Sequence, residues 1–316
     1  MPDNNAQLDI VSLGEPMVEF NETAPTQFRQ GYGGDTANFA VAAARQGAKV
    51  AYCTRLGDDR FGRMFLQLWS QEGVDTSAVR IDAQAHTGVY FVSHDEHGHH
   101  FDYLRAGSAA SRMTPDFLDT ALLRRARYLH VSGISQAISA TANDTVLAAI
   151  DIAKAVGAIV TYDPNLRLRL WPLEQARATI QKTIALVDVF LPSLDEAQTL
   201  SGQHDIPSVI AWCAQQGAKK VVLKCGADGA WVWEQGQDEQ GKARHVAAFK
   251  VEPMDATGAG DCFDGALVAR LAAGDNLTDA TRYANVAAAI STTGYGAVAP
   301  IPDQGQVLIH IVETLL

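Results

Sequence analysis

The chain has 316 residues, 47% of them hydrophobic and 19% charged, and a formal net charge of −11. This length is sufficient for one large α/β domain with a sizeable core, and the composition is typical of a globular protein. The acidic balance and the scattered arginines argue against nucleic-acid binding. The four cysteines, Cys53, Cys213, Cys225 and Cys262, form no CxxC pair, which argues against a disulfide framework and a zinc site.

The N-terminal segment MPDNNAQLDIVSLG has no basic region followed by a long apolar run. No apolar run in the chain approaches the length of about 18 residues that a membrane-spanning helix needs. We therefore expect neither export nor membrane insertion, and a cytoplasmic location. Reduced thiols are consistent with that compartment.

Short apolar or β-branched runs alternate with longer helical patterns along most of the chain, and each run ends in a loop rich in Gly, Pro, Asn, Asp or Ser. In chain order the runs are LDIVSLG (8–14), KVAYCTRLG (49–57), RYLHVSG (127–133), AIVTYDPN (158–165), DVFLPS (188–193) and KKVVLKCG (219–226). This alternation predicts a single α/β domain, 1–316, with a mostly parallel sheet that helices cover on both faces. Ligands of such sheets bind beyond the carboxyl ends of the strands, where these loops lie.

Two stretches break this alternation, residues 15–35 and 86–107. Both are strand-like, with a hairpin turn expected around residues 96–98, and they predict a small β-sheet that projects from the main domain. A lid that excludes water from the active site is one use of such a sheet. A structural edge sheet or a dimerisation flap is the alternative.

The second stretch also contains four histidines, His94, His97, His99 and His100. Adjacent residues of a strand point to opposite faces, so His99 and His100 would not converge on one ion. No carboxylate or cysteine at ligand spacing completes a shell with them, which disfavours a metal site.

The stretch MDATGAGDCFDGALVARL, residues 254–271, places small residues and glycines between Asp255 and Asp261 and continues into a helical pattern. A helix N-terminus carries unpaired N–H groups and partial positive charge, and glycines let an anion approach that backbone, so the loop suits a phosphate. A carboxylate beside a phosphate indicates phosphoryl transfer, in which it takes a proton from a hydroxyl. The alternative is a strand-to-helix turn shaped by Gly258 and Gly260 and capped by Asp261.

Together with residues 33–62, GGDTANFAVAAARQGAKVAYCTRLGDDRFG, this loop resembles the paired signatures of the PfkB (ribokinase-like) family of sugar kinases. The resemblance covers the chain from Leu8 onward and implies a ribokinase-like three-layer α/β/α domain with a small β-sheet lid. Within that family, the phrases GEPMVEF, DYLRAGSAAS, HVSGIS and DPNLRLRLW are similar to those of 2-keto-3-deoxygluconate kinases.

The resemblance implies roles for the glycine-rich loop. Asp261 would be the catalytic base that accepts the proton of the acceptor hydroxyl. The backbone N–H groups of Ala259, Gly260 and Asp261, with Gly258 in the turn, would form an anion hole for the transferred phosphoryl group. ATP and Mg²⁺ are the implied cosubstrate and cofactor.

Further positions match the family's nucleotide and metal contacts. Those expected near the nucleotide are Ser193, Lys224, Gly226, Gly229, Asn285 and Gly294. Glu196 would organise Mg²⁺ through water, in a motif where many members have Asn in place of Ser193. Asp255 is a candidate for a monovalent cation site, and K⁺ dependence stays open because Ala256 replaces a threonine that is common there. For each of these residues, a structural role in a loop or helix cap is the alternative.

The positions that match the family's sugar contacts are Gly34, Asp35, Tyr90, Tyr103, Arg105, Ile134 and Arg167. Two arginines and two tyrosines on one ligand suit a sugar acid better than a neutral hexose, because guanidinium groups pair well with carboxylates. The alternative is that Arg105 or Arg167 forms a salt bridge within the protein.

The hypothesis that results is ATP-dependent phosphorylation of 2-keto-3-deoxy-D-gluconate to its 6-phosphate, by a homo-oligomer formed through the lid sheet. Two alternatives stay open. One is the same machinery with fructose or another deoxyketo sugar acid as acceptor, and the other is a catalytically silent sugar-binding regulator. An oxidoreductase is disfavoured, because GAGDCFDG does not satisfy G-x-G-x-x-G.

Overall fold

The computed structural model describes residues 7–95, 98–237 and 242–315. Its strands are β1 (Leu8–Leu13), β2 (Met17–Ala24), β3 (Gln27–Gly33), β4 (Val50–Gly57), β5 (Val79–Asp82), β6 (Gly88–Asp95), β7 (Gly98–Leu104), β8 (Ala126–Ser132), β9 (Ile159–Asp163), β10 (Val189–Phe190), β11 (Lys220–Lys224), β12 (Ala230–Glu234) and β13 (Arg244–Val246). Its helices are α1 (Asp35–Arg45), α2 (Arg60–Gln71), α3 (Thr120–Leu123), α4 (Gly133–Ala137), α5 (Ala140–Ala155), α6 (Leu173–Ile184), α7 (Leu194–Ser201), α8 (Ile206–Gln215), α9 (Ala259–Ala273), α10 (Leu277–Ser291) and α11 (Gln304–Leu315). None of the helices within these described ranges is long and apolar enough to cross a membrane.

Within the described residues, the central sheet has nine strands in the order β13-β12-β11-β10-β9-β8-β1-β4-β5. Neighbours from β11 to β5 are parallel, and β12 and β13 extend the sheet antiparallel at one edge. The six predicted runs are confirmed as β1, β4, β8, β9, β10 and β11. Strands β5, β12 and β13 were not predicted, because they lie at or next to the edges of the sheet, are partly exposed and therefore lack a long apolar run.

Both faces of the central sheet are covered by helices. Ile10 of β1 and Tyr128 of β8 pack with α1, α9 and α10 on one face. The next residue of each strand, Val11 and Leu129, packs with α5, α6 and α8 on the other face. Successive side chains of a strand point to opposite faces, so parallel strands buried on both sides carry continuous apolar runs. The predicted three-layer α/β/α architecture is confirmed.

A separate four-stranded sheet, which we call the small sheet, has the order β3-β2-β6-β7. Its outer pairs are antiparallel and β2 pairs with β6 in parallel. This sheet confirms the one predicted from residues 15–35 and 86–107. The turn predicted around residues 96–98 falls on residues 96–97, which lie outside the described part of the chain, as do the side chains of His94, His97 and His99. The lid function of the small sheet stays a prediction.

Helices α1 and α9 approach each other closely at Gly265. A Cβ atom on Gly265 would lie 2.6 Å from the carbonyl oxygen of Phe39 and 2.7 Å from the Cβ atom of Ala42. The facing side chains of α1 are small, and Ala40, Ala42 and Ala43 are fully buried. Because the two backbones are so close, the first turn of α9 lies within reach of short polar side chains on α1.

We expect Gly265→Ala to destabilise the fold by about 1–3 kcal/mol, because the added methyl group would overlap backbone atoms of α1 that cannot move freely. Gly305→Ala in α11 is the matched control, since its Cβ atom would meet only a carboxylate oxygen of Asp303, at 3.3 Å. Urea unfolding measures both variants. A Gly265→Ala variant as stable as the control would contradict the close packing of α1 against α9.

Candidate active site

The first turn of α9 lies beyond the carboxyl ends of the parallel strands. Gly258 precedes the helix with φ of 75°, a conformation that favours glycine, and no side chain caps the helix N-terminus. The N–H of Ala259 donates to the carbonyl of Ala256 at 3.2 Å, and the N–H groups of Gly260 and Asp261 follow in the same turn. The predicted anion hole therefore lies at an uncapped helix N-terminus, where the backbone dipoles favour an anion.

The carboxylate of Asp261 is held by α1. Oδ2 of Asp261 accepts a hydrogen bond of 2.8 Å from Nδ2 of Asn38. Burial and the nearby carboxylate of Asp35 raise the pKa of Asp261 to about 8, although the Asn38 hydrogen bond and the charge of Lys224 lower it. A carboxyl group with such a pKa exchanges a proton close to neutral pH, as a general base requires.

Asp35 begins α1 directly after Gly34, whose φ of 94° no other residue type adopts easily. Oδ1 of Asp35 accepts from the N–H of Thr36 at 2.8 Å, and Oδ2 accepts from Nδ2 of Asn165 at 3.2 Å. Burial raises the pKa of Asp35. Asp35 and Asn38 are three residues apart, so they share one face of α1 and lie on the same side of the site as Asp261.

Lys224 ends β11 below the first turn of α9. Its Nζ donates to Oδ2 of Asp163 at 3.0 Å and to Oδ2 of Asp264 at 2.9 Å. Burial opposes the charge of Lys224, but these carboxylates raise its pKa above the usual value. Burial likewise opposes ionisation of Asp163, yet the ammonium group holds the pKa of Asp163 below its usual value. The side chain predicted to contact the nucleotide is thus engaged in a buried ion cluster.

The small sheet contributes Tyr90 and Tyr103 to the site region. The hydroxyl of Tyr90 donates to Oε2 of Glu19 at 2.6 Å, and its oxygen lies 2.4 Å from where a Cβ atom on Gly33 would be. Burial raises the pKa of Glu19. The ring centroid of Tyr103 lies 5.9 Å from that of Tyr90, and Tyr103 is 36% exposed. Both predicted tyrosines therefore lie on the small sheet, and Tyr90 is already paired with a buried carboxyl group.

The two predicted arginines lie in different environments. Nε and Nη2 of Arg105 donate to Oε2 of Glu15, whose Oε1 accepts from Oγ of Ser108 at 2.5 Å. Glu15 is 1% exposed, so this pair is buried. Arg167 has a side chain that is 49% exposed, and its Nη1 lies 3.7 Å from Oε1 of Glu196. The structure places Arg105 in a buried salt bridge and Arg167 in a longer, half-exposed one, and such a bridge is the alternative that the sequence left open for either arginine.

Ile134 lies in α4, directly after Gly133. A Cβ atom on Gly133 would lie 2.1 Å from the carbonyl oxygen of Pro164. Glycine is therefore required where this short helix meets the loop after β9, and Ile134 lies beside the loop that carries Asn165 and Arg167.

Ser193 and Glu196 form a capping box at the start of α7. The N–H of Glu196 donates to Oγ of Ser193, and Oε2 of Glu196 accepts from the N–H of Ser193 at 3.0 Å. The other oxygen, Oε1, accepts from the N–H of Leu166 at 2.8 Å. Burial and the charge of Asp163 raise the pKa of Glu196. Ser193 and Glu196 thus have the helix-capping role that the sequence left open. Glu196 also links the loops after β9 and β10.

The remaining positions predicted near the nucleotide lie in the loop after β11, within α10 and in the loop after α10. Gly226 and Gly229 have φ of 55° and 89°, and a Cβ atom on Gly229 would lie 2.2 Å from the carbonyl oxygen of Val246. Nδ2 of Asn285 donates to the carbonyls of Val246 and Ala247. Gly294 packs against Pro300, 2.8 Å from where its Cβ atom would be. These residues shape the backbone beside α9 and α10.

The carboxylate of Asp255 joins two loops next to the anion hole. Oδ1 accepts from the N–H and the hydroxyl of Thr257 at 2.9 and 2.6 Å, and Oδ2 accepts from the N–H of Gly296 at 2.8 Å. These contacts hold the residues before α9 against those after α10. In the described part of the chain, no group of three or more His, Cys, Asp or Glu residues is arranged to hold a metal ion.

Sequence reasoning did not single out several polar residues that complete the site, namely Glu15, Glu19, Asn38, Asp163, Asn165 and Asp264. Two of them carried a usable signal. Asn38 follows Asp35 by three residues in a helical pattern, and Asp163 ends an apolar strand run at the edge where ligands bind. Asp264 carried no such signal, because its partner Lys224 is 40 residues away in the chain.

Two cavities, of about 400 and 480 Å³, open at the amino ends of β8, β9 and β11. None of the predicted site residues lines them. The predicted residues instead gather at the carboxyl ends, which is the edge where open α/β sheets bind ligands.

We expect the stability of the protein to depend on pH through Asp261. Its pKa is about 8 in the folded chain against 3.8 for the unperturbed group. The unfolded chain therefore releases this proton first, so this contribution to stability falls as the pH rises from about 4 to about 8. Asp261→Asn lacks that contribution. The free energy of unfolding of this variant minus that of the wild type should therefore rise between about pH 4 and about pH 8 and stay constant above that. Urea unfolding at a series of pH values measures the difference, and a constant difference would contradict the raised pKa.

Comparison with known proteins identifies the family. The model of the pfkB family of carbohydrate kinases matches residues 7–304. The chain is 34% identical to the 2-dehydro-3-deoxygluconokinase of Thermoproteus tenax, over 96% of this chain and 95% of that protein. It is also 34% identical to fructokinase-1 of Zea mays, over 95% of this chain and 96% of that protein. The structure of a putative ribokinase II of E. coli in complex with ATP and Mg²⁺ is 26% identical, with a TM-score of 0.88, over 97% of this chain and 99% of that one. The chain therefore belongs to the pfkB family of carbohydrate kinases.

Proposed function

We propose that this pfkB family kinase transfers the γ-phosphoryl group of ATP to the terminal hydroxyl of 2-keto-3-deoxy-D-gluconate and forms the 6-phosphate. The observation that carries the proposal is the position of Asp261, in the uncapped first turn of α9 and 2.8 Å from Asn38. A base with a pKa near 8 lies there beside backbone N–H groups that suit a phosphate. The Thermoproteus tenax relative supports the choice of acceptor.

In this mechanism Asp261 takes the proton of the acceptor hydroxyl as its oxygen attacks the γ-phosphorus in line. The N–H groups of Gly260 and Asp261 donate to the phosphoryl oxygens, where negative charge is spread in the transition state, whereas the N–H of Ala259 donates to the carbonyl of Ala256. Asp35 and the backbone of Gly34 hold the hydroxyl groups of the acceptor, since carboxylate and backbone groups form hydrogen bonds with hydroxyls. The energetic contribution of the protein is thus positioning and charge stabilisation.

Glu196 is suited to holding Mg²⁺ through water. Each of its oxygens accepts one backbone N–H, from Leu166 or Ser193, and retains a further lone pair. Mg²⁺ keeps several waters and needs only one or two carboxylates beside the phosphates, whose charge it neutralises when bound. The E. coli ribokinase II structure, named as a complex with ATP and Mg²⁺, supports this assignment.

The nucleotide would lie along the loops after β11 and α10. The residues that we assign to it are Ser193, Gly226, Gly229, Asn285, Gly294 and the backbone of Lys224. A Cβ atom on Gly226 would meet nothing within 4 Å, so this loop leaves open space in which backbone groups can meet phosphate and ribose.

Two acceptors fit different features of the site. Arg167, partly exposed beside Glu196, is the arginine that we assign to the carboxylate of a keto acid, with Tyr90, Tyr103 and Ile134 along the acceptor. Arg105 has its charge balanced by the buried Glu15, and Glu19 adds another carboxyl group. That balance favours a neutral polyol, and fructose is the second candidate, supported by the 34% identity to the maize fructokinase.

We assign the small sheet a lid function, which would exclude water from the acceptor during transfer. Leu104 and Phe28 are 60% and 44% exposed on this sheet, which is consistent with a homo-oligomer that covers it. The proposal further includes a cytoplasmic location. The proposal does not say whether K⁺ binds at Asp255. Assays of kinase activity in buffers with and without K⁺ would decide that.

We expect Asp261→Asn to reduce kcat by roughly a hundredfold to ten-thousandfold, because the amide cannot accept the proton of the acceptor hydroxyl. Asp279→Asn is the matched control, since Asp279 has the same position in the first turn of α10 but lies far from the site, paired with Arg282. A coupled assay of ADP release with Mg-ATP measures both. Near-normal turnover of Asp261→Asn would rule out Asp261 as the base.

The same assay tests the acceptor on 2-keto-3-deoxygluconate, its galactonate epimer, fructose, ribose and adenosine. We expect the keto acids to be preferred by about two orders of magnitude, and Arg167→Ala to raise KM for them about tenfold or more with KM for fructose unchanged. A preference for fructose would make fructose the acceptor in the proposed function, and the assignment of kinase activity would stand. An unchanged KM for the keto acids would remove Arg167 from the acceptor site.

A further inference from the structure

The ammonium group of Lys224 lies directly below the backbone of the anion hole. Nζ of Lys224 is 3.8 Å from where a Cβ atom on Gly260 would be, and the side chain is 12% exposed. It is fixed there by Asp163 and Asp264, with N–O distances of 3.0 and 2.9 Å. An ammonium group has three N–H donors, so these two carboxylates use most of its hydrogen-bonding capacity.

Release of Lys224 to bind a phosphate would be costly. The side chains of Asp163 and Asp264 are 6% and 1% exposed, and removal of the ammonium group would leave two buried carboxyl groups facing each other. Burial raises the pKa of Asp264, whose side chain also hydrogen-bonds to that of Asp163. The cluster therefore holds Lys224 in the protein rather than presenting it to the nucleotide.

The cluster is part of a continuous polar connection between the two helices of the site. Asp264 is on α9, three residues after Asp261 and on the same side of the helix. Oδ1 of Asp163 accepts from the N–H of Asn165 at 3.0 Å, and Asn165 in turn donates to Asp35 at the start of α1. The connection closes on α1 itself, where Asn38 binds Asp261.

Several charged or titratable groups act on Asp261. Asp35 from α1 and Asp163 from β9 favour its protonated form, and Lys224 from β11 favours the ionised form. Three further groups lie around it. Tyr90 faces it from the small sheet, Cys262 is its neighbour on α9 and touches α10, and His130 of β8 faces Asp163 and Lys224. Burial lowers the pKa of His130 to about 3, so it adds no positive charge near neutral pH.

We propose that Lys224 is a positioning residue for the catalytic base: Asp163 and Asp264 fix its ammonium group beside the first turn of α9, next to Asp261, where it offsets part of the negative charge around the base. The proposal rests on the function proposed above for Asp261 as the base. It gives Asp264 a role as the anchor that ties this charge to the helix carrying the base. It also gives the Lys224 side chain a role distinct from that of a phosphate ligand.

The test is Lys224→Met, which keeps the length of the side chain and removes its charge. We expect the midpoint of the Asp261-dependent stability titration, obtained from each protein and its Asp261→Asn counterpart, to rise by about one pH unit or more. The acid limb of kcat/KM for the acceptor should move upward with it, while KM for ATP stays unchanged. Lys224→Arg, which keeps the charge, should retain the wild-type midpoint.

Lys154→Met is the matched control. Nζ of Lys154 donates to both oxygens of Asp188 at 2.7 and 2.8 Å, at the opposite edge of the sheet, so its loss should lower stability without moving the midpoint. If Lys224→Met does not fold, Lys224→Met with Asp264→Asn removes one stranded carboxylate, and its midpoint should still exceed that of Asp264→Asn alone.

A raised KM for ATP with an unmoved midpoint would overturn the proposal and make Lys224 a phosphate ligand. An unmoved midpoint with unchanged KM would also overturn it and leave a structural role alone. Because the stability titration needs no turnover, it separates the two hypotheses. Failure to phosphorylate any acceptor would count against the proposed function, whereas an unmoved midpoint would count against the role of Lys224.

Discussion

The close contact of α1 with α9 is the constraint on which the site depends. A methyl group on Gly265 would meet the carbonyl oxygen of Phe39 at 2.6 Å, so the two helices touch through backbone and alanine side chains. Since a protein interior is close-packed, a larger residue at this contact would separate the helices. The short side chain of Asn38 would then no longer reach Asp261, and Asp35 at the start of α1 would lie farther from the first turn of α9.

Four aspartates lie close together where α1 and α9 meet the sheet, and this concentration of charge affects their protonation. Asp35, Asp163, Asp261 and Asp264 approach one another at the carboxyl edge of the sheet, where burial disfavours their ionised forms. Lys224 offsets part of this, and hydrogen bonds from Asn38 and Asn165 stabilise individual carboxylates. An aspartate that is fully ionised in water at neutral pH thereby becomes a group that can take up a proton during the reaction.

The same pairing of charges bears on the choice of acceptor. An arginine in a pocket suggests an anionic ligand, but Arg105 is paired with Glu15, which is itself fixed by Ser108. What a ligand meets is the sum of such pairs rather than the arginines counted one by one. Two relatives at the same 34% identity, a 2-dehydro-3-deoxygluconokinase and a fructokinase, are consistent with a scaffold whose acceptor depends on a few side chains.

The sequence by itself determined the parallel sheet and the small sheet and predicted an anion-binding loop before α9, because hydrophobic period, turn residues and the spacing of glycines are local signals. It also indicated Asp261 through its family resemblance. Only the tertiary structure decided which charges meet, since Asn38 and Asp261 are 223 residues apart and Arg105 and Glu15 are 90 apart. Strands at or next to the sheet edge, such as β12 and β13, and the pairing of Lys224 with Asp264 were likewise decided by the tertiary structure. Such pairings depend on how distant elements pack, and no local pattern of residue types records them.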